Sequence, residues 1–296
     1  MASILITGAS KGIGMATALI LGRAGHRVYA TMRNPSQSPE LAKIAADESL
    51  AITISVMDVD SDDSVSKAIT AIRKEAGNID VLVNNAGIED RGSVEESDIS
   101  LFKRVMETNY FGVLRCIKAV LPQMRNRKNG CIINIASVAG HISTSPLGAY
   151  SASKFAVEAL SEALAQEVKS FNIRVAIIEP GIIDTAMPGR ISDPDTDSIY
   201  PQTKRLAGLF RESLKSHISP ALVGEKILEI VESGSWKLRH PVGPDAEPFL
   251  QWRASMSDEQ WIDWGAADDE SWYQRVQNDF GVNARPKEEA PHDVPY

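Results

Sequence analysis

The stretch SILITGASKGIG, residues 3–14, carries the strongest indication of the fold of this chain. Residues 3–7 form a short apolar run typical of a buried strand, and an apolar helical stretch follows as far as Leu21. The glycines in between have the spacing Gly-x-x-x-Gly-x-Gly, which permits a tight turn and lets a ligand approach the backbone. A strand, a glycine-rich turn and a helix in this order present free backbone N–H groups to a phosphate. An ordinary loop is the alternative at this point.

Strand-like and helix-like segments alternate along the rest of the chain. Candidate strands cover 3–7, 27–32, 51–56, 80–84, 130–135, 173–179 and 238–242, and candidate helices cover 13–24, 40–48, 62–76, 98–123, 149–170, 201–216 and 221–233. Several of the strands are continuous apolar runs, as is typical of strands buried on both faces. The pattern predicts one doubly wound α/β unit, with a Rossmann-like parallel sheet and a crevice at the carboxyl ends of its strands.

The predicted catalytic, dinucleotide-binding domain covers residues 1–243. Residues 244–296 are then a helical C-terminal extension that packs on it, and about the last ten residues have the composition of a loose tail.

Composition bounds the class of protein. The chain has 296 residues, 43% hydrophobic and 24% charged, which is ordinary for a soluble globular protein. Its net charge of −8 argues against nucleic-acid and anionic-membrane partners. No apolar run is long enough to span a bilayer and the first strand begins too early for a signal peptide, so we expect a cytoplasmic protein. The only cysteines, Cys116 and Cys131, favour a reducing compartment, and the five scattered histidines predict no metal site.

A second informative pattern is SVAGHISTSPLGAYSASK, residues 137–154. A helix that starts near Ala149 would place Tyr150 and Lys154 on one face, one turn apart. A phenol with its ordinary pKa of about 10 is a poor acid–base catalyst at neutral pH, and a nearby ammonium lowers that pKa. The alternative is that Tyr150 packs in the core while Lys154 is solvated.

Further motifs follow in order along the chain. They are Asp58-Val59, Asn84-Asn85-Ala86-Gly87, Asn109, Ser137, Tyr150, Lys154, Pro180-Gly181 and Thr185. With the glycine-rich turn, this set resembles the short-chain dehydrogenase/reductase family over roughly residues 3–243. The run VYATMRN, residues 28–34, is similar to that of steroid- and retinoid-handling members. The resemblance implies a homodimer or homotetramer that acts on a small carbonyl or alcohol substrate, with Asn109, Ser137, Tyr150 and Lys154 as catalytic residues.

The cofactor-binding residues implied by the resemblance are spread over the whole domain. They are Gly8, Ser10, Lys11, Gly12, Ile13, Gly14, Arg33, Asp58, Val59, Asn85, Ala86, Gly87, Tyr150, Lys154, Pro180, Gly181, Ile183 and Thr185. NAD-dependent proteins of this general type place an acidic residue at the end of the second strand, where this chain has Arg33. A guanidinium can bind a 2′-phosphate and Lys11 adds a second positive charge, so we expect NADP(H) as the cofactor. Both residues could instead be ordinary surface residues.

Two of these motifs also have simpler interpretations. By resemblance, Asp58 binds the adenine amino group beside the Val59 backbone, but it could instead cap the helix that begins near Asp62. Residues 85–87 line the cofactor ribose by resemblance, and Asn and Gly are also the usual residues of turns.

The same holds for two polar residues farther along the chain. By resemblance, Asn109 distorts its helix and binds a water that relays protons to Lys154; on its own it would be a solvent-facing polar residue. Thr185 holds the nicotinamide carboxamide, aided by the Ile183 backbone, or it is simply a helix N-cap.

The predicted activity is that of an NADPH-dependent carbonyl reductase or alcohol dehydrogenase. Ser137 and Tyr150 donate hydrogen bonds to the substrate oxygen, and Tyr150 supplies the proton. Lys154 lowers the pKa of Tyr150 and binds the nicotinamide ribose. An NADPH-binding regulatory protein of the same fold with little turnover is the alternative, against which the intact catalytic set argues.

The substrate is expected to be hydrophobic, although apolar residues at helical spacing are also typical of a core. The candidate pocket residues are Ile142, Leu147, Met187, Ile191, Ile199, Tyr200, Leu206, Leu209 and Phe210. The extension carries Trp252, Trp261, Trp264 and Trp272, and Ser257 with Gln260 predicts a capping box at the start of a helix. Trp272, Val276 and Phe280 lie on one face of a second helix that Gly281 would end. We favour a packing layer over the sheet edge for this extension, with a substrate lid or a subunit contact as alternatives.

Overall fold

The computed structural model describes residues 1–191 and 197–286, except for the side chains of residues 190 and 191. The predicted loose tail over about the last ten residues lies outside the described residues. The division of the chain at residue 243 stays a prediction.

Within the described ranges, seven parallel strands form one sheet. In chain order they are β1 (Ser3–Ile6), β2 (Arg27–Met32), β3 (Ile52–Val56), β4 (Val81–Asn84), β5 (Gly130–Ile135), β6 (Ile173–Pro180) and β7 (Arg239–Val242). Their spatial order is β3-β2-β1-β4-β5-β6-β7, and Leu5 of β1 pairs with Tyr29 on one side and Leu82 on the other. The order reverses after the first strand, as predicted, and leaves a crevice at the carboxyl ends of β1 and β4.

Helices connect the strands. They are α1 (Gly12–Arg23), α2 (Glu40–Asp47), α3 (Asp62–Ala76), α4 (Ile99–Met106), α5 (Gly112–Arg127), α6 (Gly148–Val168), α7 (Ala186–Ile191), α8 (Gln202–Ser213), α9 (Ala221–Ser233), α10 (Ala246–Ala254), α11 (Asp258–Ala266) and α12 (Asp269–Phe280). The continuous helix predicted over 98–123 is wrong in one respect, because a π-helical turn at Glu107–Phe111 separates α4 from α5. The predicted local distortion at Asn109 is thereby confirmed. None of the helices in the described part of the chain is long and apolar enough to cross a membrane.

The sheet is buried on both faces. Ile4 and Ile6 pack with residues of α1 and α9, such as Leu21 and Ile227. Leu5, which points the other way, packs in the layer that contains residues of α3, α5 and α6. Burial on both faces explains why these strands have apolar residues at nearly every position.

The extension consists of α10, α11 and α12. The predicted capping box is present: the Ser257 side chain accepts from the backbone N–H of Gln260, and the Gln260 side chain accepts from that of Ser257. Gly281, with φ +68°, ends α12 as predicted. Trp264, Trp272 and other aromatic residues of these helices form a separate apolar cluster. Helix α10 also contacts the edge strand β7.

Candidate active site

A cavity of about 460 Å³ lies at the carboxyl ends of the strands. It runs from the turn between β1 and α1, past the ends of β2, β4, β5 and β6, to α8 and the extension. Its wall includes every predicted catalytic and cofactor residue except Gly14 and Asn109. Residues that the sequence spreads from Gly8 to Thr185 therefore meet around one space.

The glycine-rich turn approaches the end of β4 so closely that side chains would not fit. A Cβ atom at Gly8, where φ is +67°, would lie 2.7 Å from the Ala86 Cα, and one at Gly14 would lie 2.4 Å from the Asn85 Nδ2. The Asn85 amide donates to the carbonyls of Thr7 (2.9 Å) and Gly8 (3.0 Å). Gly14 and the side chain of Asn85 thus shape the turn.

The sequence interpretation did not single out Thr7, whose side chain fixes the same junction. Its buried Oγ1 accepts from the backbone N–H groups of Asn85 (3.0 Å) and Ala86 (2.9 Å). A threonine directly before the first glycine was the available signal, because a hydroxyl at a strand end can bond neighbouring backbone groups.

Helix α1 begins at the cavity wall without a side-chain cap. Lys11 is its N-cap residue, and no side chain of the described residues caps it. Gly12 and Ile13, its first residues, line the cavity. An uncapped N-terminus that faces a cavity is suited to bind a phosphate, because its N–H groups and the helix dipole both favour an anion.

The far end of the cavity carries both positive and negative side chains. Arg33 and Lys11 are exposed and line this end together with Asp58 and Val59. Asp58 does not cap α3, because Ser61 is the N-cap; the Asp58 Oδ1 instead accepts from the Asp60 backbone N–H (3.1 Å). Burial raises the pKa of Asp60, and its hydrogen bond from Thr108 and the charge of Arg33 act in the opposite direction.

Asn109 lies in the π-helical turn, 1% exposed, and is not part of the cavity wall. Its Oδ1 accepts from the Ile88 N–H (2.8 Å), and its Nδ2 donates to the Ile88 carbonyl (2.8 Å) and to the Ser153 Oγ (2.9 Å). Asn109 therefore joins the segment after β4 to α6, between Tyr150 and Lys154. Its description as a solvent-facing residue is wrong, and the proton relay through a bound water stays a prediction.

Ser137, Tyr150 and Lys154 come together beside the ends of β5 and β6. The Ser137 Oγ accepts from the Ala139 N–H (3.1 Å) and donates to the Pro180 carbonyl (3.4 Å). Tyr150 and Lys154 lie on one face of α6, and the Lys154 Nζ is 5.6 Å from the centre of the Tyr150 ring. Lys154 is 6% exposed and donates to the Ile135 carbonyl (2.8 Å), so it is not the solvated lysine of the simpler interpretation.

The pKa of Tyr150 differs from the expectation. Burial raises it to about 12, with a contribution from the charge of Glu89, although the hydrogen bond with Ser137 lowers it. Burial also lowers the pKa of Lys154 to about 8, against the opposing charge of Glu158. The expected net lowering of the Tyr150 pKa is therefore wrong, because desolvation of the phenol outweighs any stabilisation of the phenolate by the Lys154 ammonium.

The segment after β6 lies across the cavity from the glycine turn. Gly181 contacts Asp245, whose Oδ2 accepts from the Ile182 N–H (2.7 Å). The Thr185 side chain is next to Gly12, and its Oγ1 accepts from the Met187 N–H (3.4 Å) at the start of α7. Thr185 thus lines the cavity and also bonds the backbone at the start of a helix, as the simpler interpretation stated.

The predicted substrate residues divide into two groups. Those that line the cavity are Ile142, Leu147, Met187, Leu206, Leu209 and Phe210. Ile199 is 74% exposed and Tyr200 bonds to Glu95, so neither is part of the wall and their assignment is wrong. The side chain of Ile191 lies outside the described residues.

Aromatic rings of the extension line the apolar end of the cavity. They are Phe249, Trp252, Trp261, Trp264, Trp272 and Phe280. Trp252 is at the centre, with ring centroids of Trp261, Trp264 and Phe280 at 5.3, 5.0 and 4.8 Å. The Trp261 Nε1 donates to the carbonyl of Ser143, in the loop between Ser137 and Tyr150 (3.2 Å). The favoured interpretation of a packing layer over the sheet edge is therefore incomplete, because the extension is also part of the cavity wall.

A charged cluster behind the catalytic residues was not predicted. The His141 Nε2 lies 2.7 Å from the Glu179 Oε1 and 3.7 Å from the Glu158 Oε2, and the Arg239 Nε lies 3.1 Å from the Glu158 Oε2. In the sequence, His141 is one of five scattered histidines. The fold brings it to the buried carboxylates of Glu158 and Glu179, which follow it by 17 and 38 positions in the chain. These contacts raise the pKa of His141 to about 9.

Comparison with known proteins agrees with this geometry. Residues 2–196 match the family model described as short chain dehydrogenase. A 3-ketodihydrosphingosine reductase of Bacteroides thetaiotaomicron is 40% identical over 248 residues, 81% of this chain and 87% of its own length. Retinol dehydrogenase 8 of Bos taurus is 38% identical over 270 residues, 85% of each chain.

A short-chain dehydrogenase structure from Streptomyces avermitilis superposes with a TM-score of 0.76 at 31% identity, covering 89% of this chain and 95% of that one. The family model covers most of the chain, and its bounds enclose all the predicted site residues. The chain therefore belongs to the short-chain dehydrogenase/reductase family of oxidoreductases, with a retinol dehydrogenase among its relatives.

Proposed function

We propose that the chain is an NADP(H)-dependent oxidoreductase that interconverts a hydrophobic ketone or aldehyde and its alcohol, with reduction as the favoured direction. The observation that carries this proposal is the position of Ser137, Tyr150 and Lys154 in the middle of one cavity. An uncapped helix N-terminus and two cations lie toward one end, and six aromatic rings of the extension line the other.

The residues present fit a nicotinamide dinucleotide. The free N–H groups at the start of α1 suit its diphosphate, and Arg33 with Lys11 suits a 2′-phosphate. Asp58 and residues 85–87 would contact the adenosine half, and Pro180, Gly181, Ile183 and Thr185 the nicotinamide half. Lys154 would bind the nicotinamide ribose hydroxyls. When bound, the cofactor supplies the hydride that the carbonyl carbon accepts.

Ser137 and Tyr150 then act on the substrate oxygen. Both hydroxyls donate hydrogen bonds to it, which stabilises the negative charge that develops there, and Tyr150 transfers its proton to complete the alcohol. The phenolate that remains is stabilised by the Lys154 ammonium, whose Nζ lies 5.6 Å from the ring centre. Asn109 acts as a positioning residue, because its amide joins α6 to the segment after β4.

The raised pKa of Tyr150 suits its role as the proton donor in reduction. With a pKa of about 12, the phenol keeps its proton at neutral pH and is ready to donate it. An alkoxide is a stronger base than a phenolate, so the transfer remains downhill. Oxidation of an alcohol requires the phenolate, which is scarce under the same conditions.

The hydrophobic substrate is inferred from the apolar end of the cavity. Met187, Leu206, Leu209 and Phe210 face the extension's tryptophans across it. Pockets with a mostly apolar wall and a few polar groups are typical of apolar ligands whose orientation is fixed by hydrogen bonds. Two relatives named as a reductase and a dehydrogenase are consistent with carbonyl and alcohol chemistry.

The test is the variant Tyr150→Phe, assayed by NADPH consumption with a panel of aliphatic aldehydes, sugars, aryl ketones and quinones. We expect it to fold and to bind NADPH while kcat/KM falls by about 10²- to 10⁴-fold, the usual contribution of a general acid. Near-normal turnover by this variant contradicts the mechanism. NADPH binding by the wild type without turnover of any carbonyl supports the regulatory alternative instead.

A further inference from the structure

The charged cluster of His141, Glu158, Glu179 and Arg239 joins the segments that carry the catalytic residues. His141 follows the short 3₁₀ turn that begins after Ser137, and Glu158 is one turn of α6 after Lys154. Glu179 directly precedes Pro180, whose carbonyl accepts from Ser137. Each segment contributes one member, and Arg239 of β7 completes the cluster.

The two carboxylates are buried while their partners reach outward. Glu158 is 5% exposed and Glu179 is 1% exposed, whereas the side chains of His141 and Arg239 are each about one-third exposed, at 36% and 35%. Among the described residues, the Glu158 Oε1 is buried without a hydrogen-bond partner. A buried carboxylate with one free oxygen is costly, which indicates that its charge serves a purpose beyond packing.

We propose that Glu158 is a positioning residue of the reaction, which keeps the Lys154 ammonium protonated through its own negative charge, while His141 and Arg239 hold that carboxylate in place. This proposal rests on the proposed reductase function.

Three features of the structure support this assignment. Glu158 follows Lys154 by four residues on α6, so the two side chains leave the same face of the helix one turn apart, and both residues are buried. The pKa of Lys154 is lowered by burial, and Glu158 is the charge that opposes this lowering. The charged groups around Glu158 are His141, Glu179, Arg239 and Lys154, and Glu162 pairs with Arg239, so three carboxylates face three cations when His141 is protonated.

Three residues of this cluster could in principle bind a metal ion, but the contacts favour an ion-pair cluster instead. The donor atoms of His141, Glu158 and Glu179 all lie within 4.8 Å of one another, a spacing that a metal ion could use. However, the Arg239 Nε lies 3.1 Å from Glu158 and 3.8 Å from Glu179, so a guanidinium already supplies the positive charge. His141 also has a raised pKa of about 9, and a metal would have to displace its proton.

The test compares Glu158→Gln with His141→Gln. The first variant removes the negative charge that stabilises the Lys154 ammonium, so the pKa of Lys154 and the alkaline limb of the kcat/KM profile should move down by about 0.5 to 1 pH unit. The second removes a positive charge next to Glu158, so both should move up. Loss of packing alone would not shift them in opposite directions. Glu158→Asp, which keeps the charge, should restore the wild-type limb.

Glu162→Gln is the matched control. Glu162 is on the same helix and also pairs with Arg239 (2.6 Å), but it is 54% exposed, so its removal should leave the alkaline limb unchanged. The pKa of Lys154 is also read directly by NMR of ¹³C-lysine-labelled protein, assigned with Lys154→Arg, which needs no turnover. A wild type without turnover contradicts the proposed function only, whereas an unshifted Lys154 in both glutamine variants overturns the role of Glu158. If Glu158→Gln does not fold, the upward shift in His141→Gln decides alone.

Discussion

Arg33→Asp is the change that tests the choice of cofactor most directly. Arg33 is exposed at the end of the cavity lined by Asp58 and Val59, where a bound dinucleotide would place its adenosine half. The wild type should prefer NADPH to NADH by at least about tenfold in kcat/KM, which corresponds to about 1.4 kcal/mol. Aspartate removes the guanidinium, repels a 2′-phosphate and offers an acceptor to a 2′-hydroxyl.

The size of the change follows from the surroundings of Arg33. A hydrogen bond to a charged group contributes about 1.5–3 kcal/mol, and exposure to solvent places this one near the lower value. Adding a comparable repulsion from the new carboxylate gives about 3 kcal/mol. This corresponds to a change of roughly 100-fold in the ratio of kcat/KM with NADPH to kcat/KM with NADH. Lys11 remains, so some affinity for the phosphate should persist. Because Arg33 is exposed and dissolved ions weaken exposed charge pairs, the wild-type preference should also decrease as ionic strength rises.

The assay measures kcat/KM for both cofactors at a fixed, saturating carbonyl substrate. Lys11→Gln should reduce the preference by a smaller factor, because it removes one charge and adds none. Arg23→Gln is the control, since Arg23 is an exposed arginine that pairs with Glu48 and does not line the cavity. Equal use of NADPH and NADH by the wild type, or an unchanged ratio in Arg33→Asp, would refute the assignment of a 2′-phosphate to this end.

Two further predictions concern the extension and the charged cluster. Trp252→Ala should lower kcat/KM for large aryl ketones far more than for small aldehydes. The expected loss is about 0.8 kcal/mol for each methylene-sized group of the substrate that the indole ring buries. Trp236→Ala is the control and should show no such difference, because Trp236 is 48% exposed and lies outside the cavity wall. Equal decreases for large and small substrates would contradict a substrate-binding role for Trp252. His141 has a folded pKa of about 9 against an ordinary 6.5, so its contribution to stability is complete below pH 6.5 and is lost as the pH rises through 9. Urea unfolding measured between pH 6.5 and 8 should show that the free energy of unfolding falls more steeply with pH for the wild type than for His141→Gln. Above pH 8 the deprotonation of Lys154 acts in the opposite direction, so the comparison stays below that value. Parallel curves for the two proteins would contradict the role of His141.

Local signals in the sequence were sufficient for the fold. Strands buried on both faces have continuous apolar runs, so their positions were readable without knowledge of their neighbours. The glycine turn and the right-handed crossover rule then determine the strand order around β1. The capping box at Ser257 and the helix end at Gly281 were predictable for the same reason, because each depends on residues within one helical turn.

Contacts between distant segments were not readable. Tyr200 bonds to Glu95, 105 positions earlier in the chain, and the neighbouring Ile199 is exposed, although both lie in a segment rich in apolar residues. A partner so distant leaves no signal in the local sequence. The His141 cluster depends on β6 and β7 lying beside the turn after β5, a tertiary relation without a sequence spacing. The tryptophans of the extension were visible as a group, but only the fold shows that their rings meet the cavity.

The pKa of Tyr150 shows most clearly what a motif leaves out. The spacing of Tyr150 and Lys154 predicts a charge next to a phenol, and a charge alone would lower the phenol's pKa. The same fold that brings them together also removes both from water, and that desolvation raises the pKa of Tyr150 to about 12 while it lowers that of Lys154 to about 8. Near neutral pH the pair therefore consists of a protonated phenol beside an ammonium that deprotonates only a little above physiological pH. This arrangement suits proton donation to a carbonyl, and it makes any residue that keeps Lys154 charged, as Glu158 is proposed to do, a determinant of the pH range in which the enzyme works.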